Sequence, residues 1–86
     1  MGINKAKFRS SAIWKRKRKE ILERDHHKCK ICGDDKCLEV HHIYSIDTNP
    51  ELRLEDSNLI TVCKHCHSNI HNMKYSTIYL LNKAHT

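Results

Sequence analysis

The sequence is poor in the side chains that build a large hydrophobic core. Only 38% of its 86 residues are hydrophobic, and five are aromatic. A chain of this length makes one domain, and it buries only about 60–65% of the surface that its unfolded form exposes. Small cores of this kind are usually reinforced by a metal ion or by disulfides. We therefore expect one domain over residues 1–86 that depends on such a cross-link.

The sequence also lacks the apolar segments that membranes and secretion require. No apolar run approaches the ~18–20 residues that span a bilayer. The first ten residues, MGINKAKFRS, contain no signal-peptide core. The odd total of five cysteines fits poorly with a complete disulfide set. These features predict a cytoplasmic protein without membrane contact, whose reduced cysteines bind metal.

Positive charge is concentrated in the first third of the chain. Residues 1–30 contain eleven Lys or Arg and three Asp or Glu, a net charge of +8, whereas residues 31–86 contain five and seven, a net charge of −2. A basic segment like this indicates a polyanionic partner, with nucleic acid first. The alternative is a solvated helix face. Arg9 and the run KRKRK are the candidate phosphate contacts, and the run comprises Lys15, Arg16, Lys17, Arg18 and Lys19.

Capping residues and hydrophobic spacing predict a basic arm followed by a helix. Residues 1–10 have the composition of a loose arm, and a helix capped by Ser10 or Ser11 runs to about Arg24. Its buried stripe comprises Ile13, Trp14, Ile21 and Leu22. We divide the domain into an arm and helix (1–24), a core (25–75) and a C-terminal helix (76–86).

The core is predicted to begin with a short β-hairpin within residues 27–45. Cys29 and Cys32 flank a tight turn that Gly33 permits. Residues 38–44 mix Val, Ile and Tyr, a composition that suits a strand.

The second half of the chain is predicted to contain a loop and two helices. Residues 46–58 are typical of a loop, and LITVC (59–63) forms a brief apolar entry to a short helix, KHCHSNIHNM. A last helix over residues 76–84 packs against the first helix. The residues expected at that contact are Ile78, Leu80 or Leu81.

Two CxxC motifs, at Cys29–Cys32 and Cys63–Cys66, are separated by 30 residues. Four thiolates around one tetrahedral Zn²⁺ are typical of structural sites. The alternative is four cysteines without an ion. Cys37 is left over, either as a replacement ligand or as a small core or edge residue. His65, inside the second motif, is a further possible replacement.

Four of the eight histidines suggest a second, open metal site. His67 and His71 are four residues apart on a predicted helix, so both rings project from one face. His41 and His42 are neighbours on a predicted strand and point to opposite faces, so one of them should reach the metal. Two or three imidazole ligands leave positions open for water and substrate, and the remaining histidine can act as a base. Chance clustering and a second structural zinc are the alternatives.

Three segments together resemble the HNH endonucleases: LEVHHI (38–43), NLITVC (58–63) and CHSNIH (66–71). The flanking CxxC pairs resemble the zinc-stapled branch of that family, which includes small phage nucleases. The resemblance covers about residues 12–72. It implies an α+β protein with the ββα-metal (His-Me finger) fold: a basic N-terminal helix, a β-hairpin, a short metal-site helix and a C-terminal helix, stapled by a zinc ion on four cysteines. For a phage protein, the cytoplasm would be that of the host cell.

The resemblance also implies a role for each site residue. His42 is the general base, and Asn58 holds the loop and orients the base through backbone contacts. The ligands of one catalytic divalent metal are His41, His67 and His71. Imidazoles favour Zn²⁺, Ni²⁺ or Mn²⁺, whereas the family often uses Mg²⁺ or Mn²⁺.

The predicted function is metal-dependent hydrolysis of phosphodiester bonds in double-stranded DNA by a monomer that nicks. His42 takes a proton from the attacking water, and the resemblance implies 5′-phosphate and 3′-hydroxyl products. Arg53 either contacts the scissile phosphate or is a solvated loop arginine. Two other interpretations are a non-catalytic zinc-finger module that binds nucleic acid, and an accessory nuclease of phage DNA packaging that acts with a terminase.

Overall fold

The computed structural model describes residues 4–85 and has the predicted α+β architecture. Its helices are α1 (Lys5–Arg9), α2 (Ala12–Arg24), α3 (Lys64–His71) and α4 (Thr77–Ala84), and its strands are β1 (Leu38–His42) and β2 (Leu59–Cys63). Two short 3₁₀ helices, Pro50–Leu52 and Asp56–Asn58, lie between the strands. Residues 1–3 of the predicted arm and residue 86 of the predicted C-terminal segment lie outside the described residues. Within residues 4–85, none of the helices has the length and apolar character of a membrane span.

Helix α2 begins and ends where the sequence predicts. The Ser11 hydroxyl accepts a hydrogen bond from the Trp14 N–H at 3.2 Å, which satisfies one of the free donors of the first turn. Trp14, Ile21 and Leu22 are buried on one face. Ile13 was predicted in the same stripe, and this is wrong, since it is 61% exposed. The residue before Trp14 is rotated by about 100° around the helix, away from the arc that the other three share.

The predicted loose arm contains a short helix, α1, which is a second correction. The Asn4 side chain accepts a hydrogen bond from the Lys7 N–H at 3.1 Å and caps its first turn. Phe8 is half-buried, and its ring lies 5.3 Å from that of Trp14. This aromatic contact attaches the arm to α2.

Strands β1 and β2 pair in antiparallel fashion, with Leu38 opposite Cys63 and His42 opposite Leu59. All five residues of β2 are buried, as its largely apolar sequence favours. The prediction of a hairpin within residues 27–45 is therefore wrong about the strand that pairs with β1. The cysteine turn precedes β1 without pairing as its partner, and the segment LITVC is the strand that completes the sheet.

Strand alternation places Leu59 on one face of β2 and Ile60 and Val62 on the other, and these residues belong to two core clusters. Leu59 packs with Trp14 and Ile21. On the other side, residues of β2 pack with the sulfur-bearing turns and α4, in a cluster of Cys29, Ile60, Val62, Cys63, Cys66, Leu80 and Ala84. Leu80 thus packs on the sheet and the cysteines, and the predicted contact with the helix now labelled α2 is wrong. Ile78, which was predicted at the same contact, is 71% exposed.

A buried carboxylate joins the end of α2 to β2. Asp25 is 3% exposed, and its Oδ2 accepts a hydrogen bond from the Thr61 N–H at 3.0 Å. The Arg24 guanidinium donates to both Asp25 oxygens at 2.8 and 2.9 Å, and to the Leu59 carbonyl at 2.7 Å. The buried charge is therefore fully paired.

We expect Asp25→Ala to lower the free energy of unfolding by about 3 kcal/mol, because the Arg24 guanidinium and the Thr61 N–H lose a buried acceptor. Urea unfolding of the zinc-loaded protein measures this. The exposed Glu23→Ala on the same helix should change stability by less than about 0.5 kcal/mol. Equal effects of the two substitutions would contradict the structural role of Asp25.

Candidate active site

The structure brings the four predicted cysteines together. The sulfurs of Cys29, Cys32, Cys63 and Cys66 all lie within 4.8 Å of one another. The Cys32 and Cys63 sulfurs are 3.6 Å apart. A tetrahedral Zn²⁺ with bonds of about 2.3 Å to each sulfur requires separations of this size. The donor set therefore fits a structural zinc that joins the two CxxC turns.

The first turn is shaped to present a thiolate. Gly33 has φ +83°, and its N–H donates to the Cys29 carbonyl at 2.9 Å. The Cys32 N–H lies 3.4 Å from the Cys29 sulfur. Burial alone would raise the pKa of Cys29, but backbone N–H groups directed at its sulfur lower it to about 7. Donors aimed at a sulfur favour the charged form that metals bind.

The second turn is the start of α3. Cys63 is the N-cap, and its sulfur accepts from the Cys66 N–H at 3.4 Å. Burial raises the pKa of Cys66, since an isolated thiolate there would be poorly solvated. A bound cation reverses this preference, because a thiol that coordinates Zn²⁺ is deprotonated.

Neither of the alternative ligands joins the sulfurs. Cys37 is exposed at φ +53°, and its backbone carbonyl accepts from the Lys64 N–H at 3.0 Å. It occupies an edge position before β1. His65 is exposed, with its Nε2 3.5 Å from the Asn69 side chain.

Three of the four predicted site histidines converge between β1 and α3. Ring centroids are 5.1 Å apart for His41 and His67, 6.3 Å for His41 and His71, and 4.6 Å for His67 and His71. Across residues 4–85, only the cysteines form a group with all ligand atoms within 4.8 Å. The imidazoles thus need side-chain rotations to share one ion. Burial, with the neighbouring His67 and His71, lowers the pKa of His41 to about 4, which favours the neutral, metal-binding form.

His42 points to the other face of β1, as strand alternation predicts. Its ring stacks on Trp14 with a centroid distance of 4.9 Å and an interplanar angle of 26°. Its Nε2 lies 3.0 Å from the Arg53 carbonyl oxygen. Because a carbonyl only accepts, Nε2 carries the hydrogen, and Nδ1 is left to accept a proton. Burial lowers the pKa of His42, and the Arg53 carbonyl partly offsets this.

Asn58 fixes the connection between the strands. It is buried, and its side chain accepts from the Tyr44 N–H at 2.7 Å. Its amide donates to the carbonyls of Tyr44 at 3.2 Å and Leu52 at 3.1 Å. The loop that carries the Arg53 carbonyl is therefore tied to the end of β1 through Asn58.

All four site histidines line one open groove of about 900 Å³. Two residues of the predicted basic run, Lys15 and Arg18, also line it. So do two basic residues of α1, Lys5 and Arg9. The groove therefore combines imidazoles with a basic rim.

The remaining predicted phosphate contacts lie elsewhere. Lys17 is paired with Asp56 at 2.6 Å and Glu20 at 3.1 Å, and these carboxylates raise its pKa. Arg16 and Lys19 are exposed and are not among the residues lining the groove. The Arg53 guanidinium donates to the Pro50 carbonyl at 2.7 Å and is likewise not among the lining residues, so Arg53 serves the groove through its backbone carbonyl and His42.

Sequence reasoning missed three charged residues of the groove, Lys5, Glu39 and Asp47. Glu39 precedes His41 by two residues, so the period of a strand places both on one face. Its Oε2 lies 2.6 Å from the His67 Nδ1. The alternation of β1 was therefore a signal that could have identified it. The placement of Lys5 in the groove depends on the position of α1, and the sequence contains no signal for that position.

We expect one tightly bound zinc per chain in the wild type. Cys66→Ser should lose this zinc and lower the melting temperature by roughly 10 °C or more, since metal binding contributes to folding. Atomic absorption and a thermal melt measure both quantities. The matched Cys37→Ser should keep the zinc and the melting temperature. Zinc retained in Cys66→Ser, or lost in Cys37→Ser, would contradict the assigned ligands.

The comparisons with known proteins agree with this arrangement. The HNH endonuclease family matches residues 29–73. A Saccharomyces cerevisiae protein described as "Putative COX1/OXI3 intron 2 protein" is 36% identical over 59 residues, which cover 56% of this chain and 7% of that protein. The chain thus corresponds to a small part of that relative. No solved structure gives a significant match. Because the family match spans more than half of the chain, including both cysteine turns and the four site histidines, the chain belongs to the HNH endonuclease family.

Proposed function

We propose that this chain is a metal-dependent DNA endonuclease that hydrolyses phosphodiester bonds and nicks double-stranded DNA. Membership of the HNH endonuclease family supports a nuclease function. The observation that carries the finer proposal is the division of the histidines in one groove. Three imidazoles converge on each other, and a fourth is anchored separately on a backbone carbonyl.

The converging imidazoles fit a divalent metal. The ring nitrogens of His41, His67 and His71 would hold it, and the low pKa of His41 keeps that ring in its ligating form. When bound, such an ion supplies electrostatic stabilisation of the charge that grows on the phosphate. Three protein ligands leave coordination positions open, as in other catalytic sites.

His42 is the proposed general base. Its Nδ1 takes a proton from the water that attacks phosphorus, while Nε2–H remains bonded to the Arg53 carbonyl. The bond from water oxygen to phosphorus forms as the bond to the 3′ oxygen breaks, and the departing oxygen takes a proton from solvent, which leaves a 5′-phosphate and a 3′-hydroxyl. Stacking on Trp14 restricts the ring to the orientation that this proton transfer requires.

The basic rim is the proposed contact to the DNA backbone. Lys15 and Arg18 on α2 and Arg9 on α1 place positive charge along the groove, whereas Lys5 is paired with Asp47 at 3.0 Å. Contacts to phosphates position the duplex without reading its sequence. With one active site in one monomer, a single strand is cut per binding event, hence the proposed nick.

We expect His42→Ala to reduce the rate of plasmid nicking by about 10²–10⁴-fold, the usual contribution of a general base. The assay compares Mg²⁺, Mn²⁺, Ni²⁺ and Zn²⁺ with protein that retains its structural zinc. The control is His65→Ala, which removes an exposed imidazole of α3 that is not among the residues lining the groove.

Equal nicking by His42→Ala and the wild type would show that His42 is not the base. A wild-type protein that binds the plasmid but cuts it with none of the four ions would instead favour a non-catalytic nucleic-acid-binding module.

We expect Lys15→Ala/Arg18→Ala to weaken DNA binding and to reduce the slope of log affinity against log salt by about 2, one for each lost phosphate contact. The matched control, Arg16→Ala/Lys19→Ala, removes the same charge from the same helix but outside the groove, so its slope should stay near that of the wild type. Fluorescence anisotropy over a salt series measures both. Equal losses in the two double variants would contradict a groove-specific contact.

A further inference from the structure

We propose that Glu39 is a positioning residue of the histidine site, whose carboxylate fixes the ring of His67 so that its Nε2 is presented to the metal. This inference rests on the proposed function in one respect, because it takes His67 as a metal ligand. It assigns a role to a side chain that is neither a ligand nor a base.

The contact itself determines which ring nitrogen is available. The Glu39 Oε2 and the His67 Nδ1 are 2.6 Å apart. This is shorter than the usual 2.7–3.2 Å for N–H···O bonds, as bonds to charged acceptors are. An ionised carboxylate only accepts hydrogen bonds, so Nδ1 carries the hydrogen. In the neutral ring the lone pair then lies on Nε2.

The sheet explains why a carboxylate meets this histidine. Glu39 and His41 are two residues apart on β1 and therefore share one face, the face that carries His41 towards α3. His67 lies in the middle of α3. One strand thus supplies both a ligand and the group that orients a second ligand on the facing helix.

The charges of the groove also support a positioning role for Glu39. The groove has a basic rim suited to phosphate, and a carboxylate inside it opposes an anionic substrate. The other groove carboxylate, Asp47, is neutralised by Lys5 at 3.0 Å. Glu39, in contrast, is paired with His67. A role in orienting this ring explains why the groove contains a negative charge that DNA binding alone would disfavour.

The expected effect is on metal affinity. Carboxylates that accept from ligating histidines fix the tautomer and ring orientation, and their loss typically costs 10–100-fold in metal affinity. The Glu39 side chain is 49% exposed and that of His67 is 28% exposed, so water competes for the bond. We therefore expect the lower part of that range. Because Glu39 is at the surface, its substitution should leave the fold intact.

The test measures Mn²⁺ binding by electron paramagnetic resonance on the full chain with its structural zinc. We expect Glu39→Ala to raise the Kd for Mn²⁺ about tenfold or more, and Glu39→Gln to have an intermediate effect, because an amide oxygen accepts the same bond without charge. The matched control, Asp47→Asn, removes a negative charge from the same groove without touching His67, and it should leave the Kd near the wild-type value.

Nuclear magnetic resonance of the imidazole nitrogens, recorded without Mn²⁺ under mildly alkaline conditions, gives a readout independent of activity. We expect the hydrogen of His67 on Nδ1 in the wild type and its redistribution towards Nε2 in Glu39→Ala. A wild-type ring with its hydrogen on Nε2 would overturn the proposal. So would an unchanged Kd in Glu39→Ala, or an equal loss in Asp47→Asn. A wild type that bound none of Mg²⁺, Mn²⁺, Ni²⁺ and Zn²⁺ at the imidazoles would overturn both the metal site and the proposed nuclease mechanism.

Discussion

The cluster of four sulfurs is the constraint on which the rest of the molecule depends. It joins a turn at residues 29–32 to the start of α3 across 30 residues of intervening sequence, in a chain whose apolar core is small. Cys63 ends the fully buried β2 and also caps α3, so closing the cluster fixes the helix relative to the sheet. His67 and His71 are thereby held against His41.

The second organising feature is the alternation of β1, which places two adjacent histidines in different environments. His41 faces α3 and the other imidazoles, and His42 faces Trp14 and the Arg53 carbonyl. A slip of one residue in the pairing with β2 would exchange these environments. The buried Asn58 opposes such a slip, because it ties the end of β1 to the returning loop.

The sequence was sufficient to predict features that depend on fixed spacing. The CxxC pairs, the histidines four residues apart and the N-cap of α2 could all be recognised because metal ligation and capping impose local patterns. Features that depend on tertiary contacts could not be predicted from the sequence. The pairing of LEVHH with LITVC spans a long loop, and α4 packs on the sheet because β2 leaves an apolar face there. The ion pair between Lys17 and Asp56 and the inward carbonyl of Arg53 likewise depend on loops that only the folded chain brings near.

The central claim is that sulfur and imidazole donors hold two different ions with different tasks. Anomalous diffraction from crystals grown with Mn²⁺, collected at the zinc and manganese absorption edges, tests this most directly. The account predicts a zinc peak among the four sulfurs and a separate manganese peak among His41, His67 and His71. Zinc shared between sulfur and imidazole ligands, or no manganese peak among the three rings, would contradict it.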